Sequence, residues 1–244
     1  MLKHISRCYL IIMLFFYFCF FFYGRSYSGS TNNKTEDYIQ DIGNGIKYSF
    51  DNPVWLIYAG GIGALSRYDD DVRDHFAGKL LPAKVAKYTE FYGYGLNWFI
   101  GNSYILGEYF TTDRSKQDVE EYLKVFNEAF IVNMAFTYAL KTIVKRERPG
   151  KQNRYSFPSG HASGSFAVAA VLYRIYGYEV GLPAFTLASI TGLQRIHANK
   201  HWLSDVLAGA LLGTLIGNGF AELIKNEKNV KADKKYVVNI FLTL

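Results

Sequence analysis

Residues 155–165 read YSFPSGHASGS, and this stretch lies immediately before an apolar run. Proline and several small residues precede the run, and Ser156 or Ser159 can cap the helix that the run predicts. A helix N-terminus presents free backbone N–H groups and a partial positive charge. Because glycine lets an anion approach that backbone closely, the stretch predicts an anion site with His161 beside it. A glycine-serine turn with a solvated histidine is the plainer alternative.

Apolar segments with helical spacing make up most of the chain beyond Pro53. Six of them lie near residues 53–66, 91–109, 125–147, 160–176, 180–196 and 202–224. An amphipathic stretch at 113–130 leads into the third segment, and a charged stretch near 69–90 is expected to lie on the surface. The segments predict an all-α fold, a helical bundle of about six core helices.

The first 28 residues have the layout of a secretory signal peptide. Basic residues precede an uncharged run at 8–23, and Ser-Tyr-Ser at 26–28 is an acceptable cleavage site. An uncleaved N-terminal anchor is the alternative, and in both cases the rest of the chain crosses a membrane. The two cysteines, Cys8 and Cys19, lie in this segment, so cleavage would leave no thiol for catalysis, metal binding or a disulfide.

Four regions are therefore expected. After the signal peptide or anchor at 1–28, the polar, glycine-dotted residues 29–50 predict a linker. A helical domain is expected at 51–224 and a tail at 225–244, where KKYVVNIFLTL is compatible with a short strand or a frayed end.

The composition suits one domain with a large apolar core. The chain has 244 residues, of which 50% are hydrophobic, and a net charge of +6. The modest charge is spread along the chain, which argues against nucleic acid and leaves anionic small molecules or a membrane surface as partners. The charge-free runs of about 12 to 17 residues are shorter than a spanning helix needs, so a soluble or membrane-peripheral bundle is favoured over an integral one.

Gly209, Gly213 and Gly217 recur at four-residue spacing in the sixth segment. Such spacing lets another helix approach closely, in water or in lipid. Tight helix packing is the interpretation we favour.

A cluster of cations ends the third segment, in KTIVKRERP at residues 141–149. Lys141, Lys145 and Arg148 share one helix stripe, and Pro149 disfavours helix at Arg148. Cations also favour helix C-termini for electrostatic reasons alone, so the cluster has a plainer explanation than a binding site.

A third polar cluster lies in LQRIHANKHWLSDVLAG at residues 193–209. Arg195 ends the fifth segment, and His201 and Asp205 are four residues apart where the sixth begins. A carboxylate there can orient the imidazole and leave its other nitrogen free to attack. A surface hydrogen bond is the alternative for such a pair.

Other polar residues are assigned lesser roles. Asp69, Asp70 and Asp71 predict a solvated helix start rather than a metal site. Lys145 lies outside the pattern formed by the other cations, and His197 is two residues from Arg195, so both are interpreted as structural or peripheral.

In an antiparallel bundle the three clusters meet at one end. The end of the third segment lies beside the start of the fourth, and the end of the fifth lies beside the start of the sixth. The resulting pocket holds three cations, an open helix N-terminus and two histidines, a combination that suits a phosphate dianion. The active site is therefore expected at this end of the bundle.

The clusters resemble the three-part signature of the type 2 phosphatidic acid phosphatase and vanadium haloperoxidase superfamily. The matching motifs, over roughly residues 125–222, are Lys141-x6-Arg148-Pro149, Pro158-Ser159-Gly160-His161 and Arg195-x5-His201-x3-Asp205. Gln194 departs from the family pattern, because a serine usually precedes the arginine of the third motif.

The resemblance implies a role for each matched residue. His201 would be the nucleophile that forms a phosphohistidine, Asp205 would orient it, and His161 would protonate the leaving oxygen and then activate water. The phosphate oxygens would be bound by Lys141, Arg148, Ser159, Gly160 and Arg195. No metal or other cofactor is expected, because fixed cations stabilise the phosphoryl charge.

The expected activity is that of a metal-independent phosphatase on phosphomonoesters, in the periplasm or at an extracytoplasmic membrane face. A phosphorylated lipid such as phosphatidic acid is the favoured substrate class. A broad-specificity acid phosphatase for small soluble esters and a lipid diphosphate phosphatase are alternatives. A vanadate-dependent haloperoxidase and a non-catalytic envelope protein are the more distant ones. The sequence indicates neither the alcohol half of the substrate nor the oligomeric state.

Overall fold

A computed structural model describes the backbone of residues 34–242 and the side chains of residues 38–224. These residues form helices and turns, with no strand among them, so the predicted all-α bundle is confirmed. The expected signal peptide or anchor at 1–28 lies outside the described residues.

The described residues form helices over all six predicted apolar segments and three more helices outside them. In chain order they are α1 Lys34–Phe50, α2 Val54–Leu65, α3 Asp69–Phe76, α4 Ala83–Phe91, α5 Asn97–Thr111, α6 Lys116–Val144, α7 Gly160–Tyr176, α8 Tyr178–His197 and α9 Leu203–Leu242. A wide turn, Tyr92–Leu96, joins α4 to α5, and Gly95 within it has a φ of 116°, a conformation that glycine adopts readily.

The expected linker at 29–50 is wrong from Lys34 onward, because α1 occupies it. Small residues on one face of α1 let it pack closely: a Cβ on Gly45 would lie 2.7 Å from the Phe220 ring, and a Cβ on Gly219 would collide with Ser49. Phe50 adds a ring contact with Phe136, with centroids 5.9 Å apart. Gly45, one of the glycines that suggested a linker, is therefore a close-packing position.

Two further boundaries differ from the sequence-based expectation. The amphipathic stretch and the third apolar segment form one continuous helix of 29 residues, α6, because no residue between them breaks it. The backbone of α9 continues as helix to Leu242, so the described part of the predicted tail forms a helix instead of a strand or a frayed end.

Helix α7 is the central element, and α9 packs against it along the glycine stripe. A Cβ on Gly209 would lie 2.5 Å from the carbonyl oxygen of Ser159, and one on Gly217 would lie 2.7 Å from that of Ala167. Only the missing side chains let the two backbones come this close. The glycine spacing therefore reflects tight packing of α9 against α7, as expected.

The α6–α7 loop and the α8–α9 loop lie at the same end of the bundle. Arg148 Nη1 donates to the Lys200 carbonyl oxygen at 3.1 Å, which ties one loop to the other. The Ser159 N–H donates to the Asp205 carbonyl oxygen at 2.9 Å, which ties the start of α7 to the start of α9.

Candidate active site

The cations of the first motif lie where α6 ends. Lys141 is in the last turn and donates through Nζ to the carbonyl oxygens of Tyr155 and Pro158, at 2.9 and 2.5 Å. It thereby holds the loop that precedes α7. Lys145, outside the motif, is exposed and caps the helix in a left-handed conformation with a φ of 49°.

Arg148 lies in the loop after α6 and is fixed at two points. Its Nε donates to Asn153 Oδ1 at 3.0 Å and its Nη1 to the Lys200 carbonyl oxygen at 3.1 Å. These bonds orient the planar guanidinium, and a fixed guanidinium is well suited to grip an oxyanion.

The second motif forms the N-terminus of α7. Ser159 is the N-cap, and its hydroxyl accepts the Ala162 N–H at 3.5 Å. Gly160 is the first helical residue. A Cβ on Gly160 would lie 3.8 Å from Cε of Lys141. The lysine and the open helix end therefore lie next to each other.

His161 sits in the first turn of α7 against the wide turn Tyr92–Leu96. Its ring packs edge-on against Tyr94, with centroids 4.4 Å apart. A Cβ on Gly93 would lie 2.5 Å from Cδ2 of His161, so a glycine is required at that contact. His161 Nε2 is buried and has no hydrogen-bond partner.

Arg195 is buried at the end of α8, with 3% of its surface exposed. Its Nη1 donates to Gln194 Oε1 at 3.0 Å and lies 3.6 Å from Glu90 Oε1. Gln194, the departure from the family pattern, thus holds the arginine beside it. Arg195 Nε is buried without a hydrogen-bond partner.

His201 lies in the loop just before α9, and Asp205 lies in the first turn of that helix. The Nδ1 atom of His201 is 3.7 Å from Asp205 Oδ2, which is longer than a hydrogen bond, and it has no hydrogen-bond partner. Asp205 Oδ2 accepts the Ser156 hydroxyl at 2.5 Å and the Trp202 N–H at 2.9 Å. The carboxylate is thus fixed, and the imidazole faces it.

Burial holds the imidazole of His201 neutral. Loss of solvation lowers the pKa of His201 to about 4; the Asp205 carboxylate opposes this shift, and the nearby charges of Lys141, Arg148 and Arg195 add to it. A neutral imidazole keeps the lone pair that a nucleophile needs.

The structure therefore brings together all eight residues that the sequence singled out, and it leaves buried polar atoms without partners on three of them. Those atoms are His161 Nε2, Arg195 Nε and His201 Nδ1. Buried polar groups are normally paired, so His161 Nε2 and Arg195 Nε indicate a place where a polar ligand binds, whereas His201 Nδ1 faces Asp205. Among the described residues, no group of three or more His, Cys, Asp or Glu side chains is placed to hold a metal ion.

Sequence reasoning missed several residues around the site. Asp69 was expected to be solvated, but it is buried and accepts a hydrogen bond from Arg146 Nη2 at 2.7 Å. Arg146 also reaches Asp205, through an Nη1–Oδ1 distance of 2.8 Å. The only sequence signal was that Arg146 is two residues from Arg148. His197 has a structural role, as expected, because its Nδ1 accepts the Leu81 N–H at 3.2 Å.

Comparison with known proteins finds a family match in the part of the chain that carries the site. The profile of the PAP2 superfamily matches residues 122–228. The lipid A 1-phosphatase of Porphyromonas gingivalis is 43% identical over 75 residues, which are 30% of this chain and 17% of that protein. The lipid A 4'-phosphatase of Helicobacter pylori is 35% identical over 85 residues, 35% of this chain and 41% of that protein.

A solved structure shares the fold. It is that of a transmembrane PAP2-type phosphatidylglycerolphosphate phosphatase from Bacillus subtilis, with a TM-score of 0.50 and 22% identity over 72% of this chain and 92% of that one. The matched region spans less than half the length of either lipid A phosphatase. The resemblance predicted from the three motifs is confirmed: residues 122–228, which contain all three motifs, match the PAP2 superfamily.

Proposed function

We propose that this chain is a phosphatase that hydrolyses phosphorylated lipids through a phosphohistidine at His201. The observation that carries the proposal is the pair of buried, unpartnered polar atoms His161 Nε2 and Arg195 Nε, at an end of the bundle lined by cations. A tetrahedral oxyanion would satisfy such atoms, and phosphoryl transfer depends chiefly on positioning and charge stabilisation of this kind.

In the first step, Nε2 of His201 attacks phosphorus while Nδ1 faces Asp205. The bond from phosphorus to the alcohol oxygen breaks, and His161 donates a proton to that oxygen. His161 must be protonated to act as the acid, and a bound phosphate dianion beside it favours the protonated form.

In the second step, water attacks the phosphorus of the phosphohistidine. The neutral His161 left by the first step takes the proton from that water, and the bond from phosphorus to Nε2 breaks. Inorganic phosphate leaves, and both histidines return to their starting states.

Lys141, Arg148 and Arg195 would stabilise the negative charge of the phosphoryl oxygens throughout. Ser159 and the Gly160 N–H, at the positive end of α7, would add hydrogen bonds. Lys141 must exchange one of its bonds to the loop carbonyls for a phosphate oxygen, so phosphate binding is expected to loosen the loop before α7. Because these cations stabilise the phosphoryl charge, no metal is expected to be required.

The outer surface of the bundle supports a lipid substrate. No residue of α2 is buried, and its Ile57 side chain is 74% exposed. Phe110 on α5 is 85% exposed and Leu182 on α8 is 64% exposed. Large apolar side chains exposed on several helices mark interaction surfaces, and lipid tails would cover them. The names of the two curated relatives also point to phosphorylated lipids.

We therefore propose that the bundle is inserted in a bilayer, instead of being soluble or peripheral as the short charge-free runs suggested. One described stretch, Leu203–Ile224, is long and apolar enough to cross a membrane, although a buried core helix has the same properties. The site would face the periplasm or another extracytoplasmic space, as the leader predicts.

The deciding experiment measures phosphate release by the purified full chain in the presence of EDTA. The substrates are phosphatidic acid, lipid A phosphate, a lipid diphosphate and a soluble aryl phosphate. Release that survives EDTA, is inhibited by vanadate and is lost in His201→Asn supports the proposal, and trapping of a ³²P-labelled acid-labile, base-stable protein adduct identifies the phosphohistidine.

Other outcomes of that experiment select the alternatives. Faster turnover of the aryl phosphate than of every lipid would indicate a broad-specificity acid phosphatase. A preference for the diphosphate would indicate a lipid diphosphate phosphatase. Halide oxidation by the vanadate-loaded protein would indicate a haloperoxidase, and no turnover at all would indicate a non-catalytic envelope protein.

A further inference from the structure

We infer that Arg146 and Asp69, two residues outside the three motifs, are positioning residues that hold Asp205 in the orientation required by His201. The inference rests on the proposed role of His201 as the nucleophile. Arg146, Asp69, Ser204 and Asp205 form a network of ion pairs and hydrogen bonds that joins α3, the α6–α7 loop and the start of α9. We expect this network to affect catalysis.

Arg146 bridges two buried carboxylates. Its Nη1 lies 2.8 Å from Asp205 Oδ1 and its Nη2 lies 2.7 Å from Asp69 Oδ2. The two carboxylates are almost fully buried, with side-chain exposures of 0% for Asp205 and 4% for Asp69. Buried carboxylates require a cation or several hydrogen bonds, and Arg146 supplies the cation to both.

Asp69 caps α9 from another helix. Its Oδ1 accepts the Ser204 N–H at 2.9 Å, and its Oδ2 accepts the Ser204 hydroxyl at 2.5 Å. The first backbone N–H groups of a helix have no partner within the helix, and an acidic side chain there is favourable. Asp69 therefore fixes the residue that precedes Asp205 in the chain.

The network leaves Asp205 little freedom. Arg146 holds Oδ1, while the Ser156 hydroxyl and the Trp202 N–H hold Oδ2 at 2.5 and 2.9 Å. The Arg146 guanidinium also lies 5.5 Å from the ring centre of Trp202, the residue next to His201. Oδ2, the oxygen nearest to His201 Nδ1, can thus point only toward the imidazole.

Helix α3 packs against the helices that carry the second and third motifs, so the position of Asp69 is fixed. Val72, one turn along α3, packs against a buried cluster of Ala162, Ile196 and Val206. These three residues come from α7, α8 and α9, the helices that carry the second and third motifs.

The test compares Arg146→Gln and Asp69→Asn with matched controls. Arg154→Gln changes an exposed arginine of the same loop, and Asp70→Asn changes the exposed neighbour of Asp69. The two network variants should lose about 10- to 100-fold in kcat with little change in KM, the size of effect seen when an orienting partner of a histidine is removed. Both controls should stay within about twofold of wild type.

Arg146→Lys separates charge from geometry. A single ammonium keeps the positive charge but cannot bridge two carboxylates as a guanidinium does. Activity between that of wild type and Arg146→Gln is expected. Full activity in Arg146→Lys would show that the charge alone matters and would overturn the positioning role.

A second readout does not depend on turnover. Protein labelled with ¹⁵N-histidine, assigned with His201→Asn, reports which ring nitrogen of His201 carries the proton. The wild type should hold the proton on Nδ1, facing Asp205, and both network variants should show a mixture of tautomers. An unchanged tautomer together with unchanged kcat in folded Arg146→Gln and Asp69→Asn would overturn the inference.

The two proposals fail in different ways. If the wild type releases no phosphate from any ester, the proposed function fails, while the tautomer of His201 still decides the inference. If the network variants do not fold, Ser204→Ala replaces them. It removes the Ser204 hydroxyl, which bonds to Arg146 and Asp69, but keeps both of those charged side chains and the bond from the Ser204 N–H to Asp69. A smaller loss of kcat with the same change of tautomer is then expected. If Ser204→Ala changes neither kcat nor the tautomer, the inference is overturned.

Discussion

His201 and His161 occupy different surroundings, which separates the roles proposed for them. His201 faces a fixed carboxylate across 3.7 Å, as a nucleophile does, whereas His161 packs edge-on against Tyr94 and keeps Nε2 without a partner. An acid that protonates the leaving oxygen matters most when the leaving group is a poor one. The two histidines should therefore respond differently to the leaving group.

We expect His161→Asn to lose about 10² to 10⁴-fold in kcat/KM, which reports only the first step, on a lipid phosphate and far less on p-nitrophenyl phosphate, whose leaving group needs no proton. His201→Asn should lose at least about 10³-fold on both, since the nucleophile is gone. Steady-state kinetics on the two substrates checks this, with His75→Asn, an exposed histidine, as the control. Equal losses on both substrates for His161→Asn would contradict its role as the acid.

The depressed pKa of His201 links protein stability to pH. In the folded protein His201 stays neutral down to about pH 4, whereas the unfolded chain takes up a proton near the usual value of 6.5. Unfolding therefore binds a proton between these values, and stability is lost as the pH falls from about 6.5 to about 4, by at most about 3 kcal/mol from this group.

We expect the melting temperature of His201→Asn to fall less than that of wild type across this acid window. Thermal unfolding in detergent, followed by circular dichroism at several pH values, measures the difference. His75→Asn should keep the wild-type acid slope. Parallel slopes for His201→Asn and wild type would show that His201 is not held neutral in the folded state.

At the scale of the helices, the glycine stripe of α9 determines how closely the two central helices pack. A Cβ on Gly213 would collide with the Ser163 carbonyl oxygen and lie 2.8 Å from the Ala167 backbone nitrogen. The colliding atoms are backbone atoms, which cannot move aside as a side chain does, so the helices must separate.

Gly213→Ala is therefore expected to destabilise the protein by about 1–3 kcal/mol or more through overpacking. Gly107→Ala on α5 is the matched control, because nothing lies within 4 Å of a Cβ there. It should be neutral or stabilise by up to about 1 kcal/mol through helix propensity. The melting temperature of Gly213→Ala should thus fall while that of Gly107→Ala stays the same or rises, and equal shifts would contradict the packing explanation.

The wide turn Tyr92–Leu96 is a second element with a predictable effect. A Cβ on Gly93 would lie 2.5 Å from His161 Cδ2 and 2.9 Å from Thr191 Cγ2. We expect Gly93→Ala to displace the His161 ring and lower kcat/KM on a lipid phosphate more than on p-nitrophenyl phosphate, as is expected of His161→Asn. Gly107→Ala again serves as the control, and a uniform loss on both substrates would indicate general disruption instead.

At the scale of the whole molecule, the exposed apolar side chains of α2, α5 and α8 should contact lipid tails and so hold the site next to lipid substrates. Ile57→Lys places a charge on the α2 surface that is proposed to contact acyl chains. Turnover of phosphatidic acid in vesicles should fall several-fold, while turnover of soluble p-nitrophenyl phosphate should stay close to wild type. Gln117→Lys, at an exposed polar position of α6, should change neither rate. Vesicle activity unaffected by Ile57→Lys would argue against lipid contact at this surface.

The sequence by itself determined the helical segments and the eight motif residues. Apolar periodicity located the six helical segments beyond Pro53, because burying one face of a helix requires that spacing, but it missed α1 and the full lengths of α6 and α9. The spacing within each motif placed its residues at helix ends, as for Ser159 at the N-cap of α7. Antiparallel packing was then enough to bring the three motifs to one end of the bundle.

Only the tertiary structure showed which other residues surround the site. Asp69 looked like a solvated helix start, because nothing local distinguishes it from exposed Asp70. Its partners are 77 and 135 positions away in the chain, in Arg146 and Ser204. Likewise, Gly93 and Tyr94 reach His161 only through folding. Local sequence patterns reflect burial and helix ends, whereas contacts between distant segments depend on how the helices pack, and no local spacing records that.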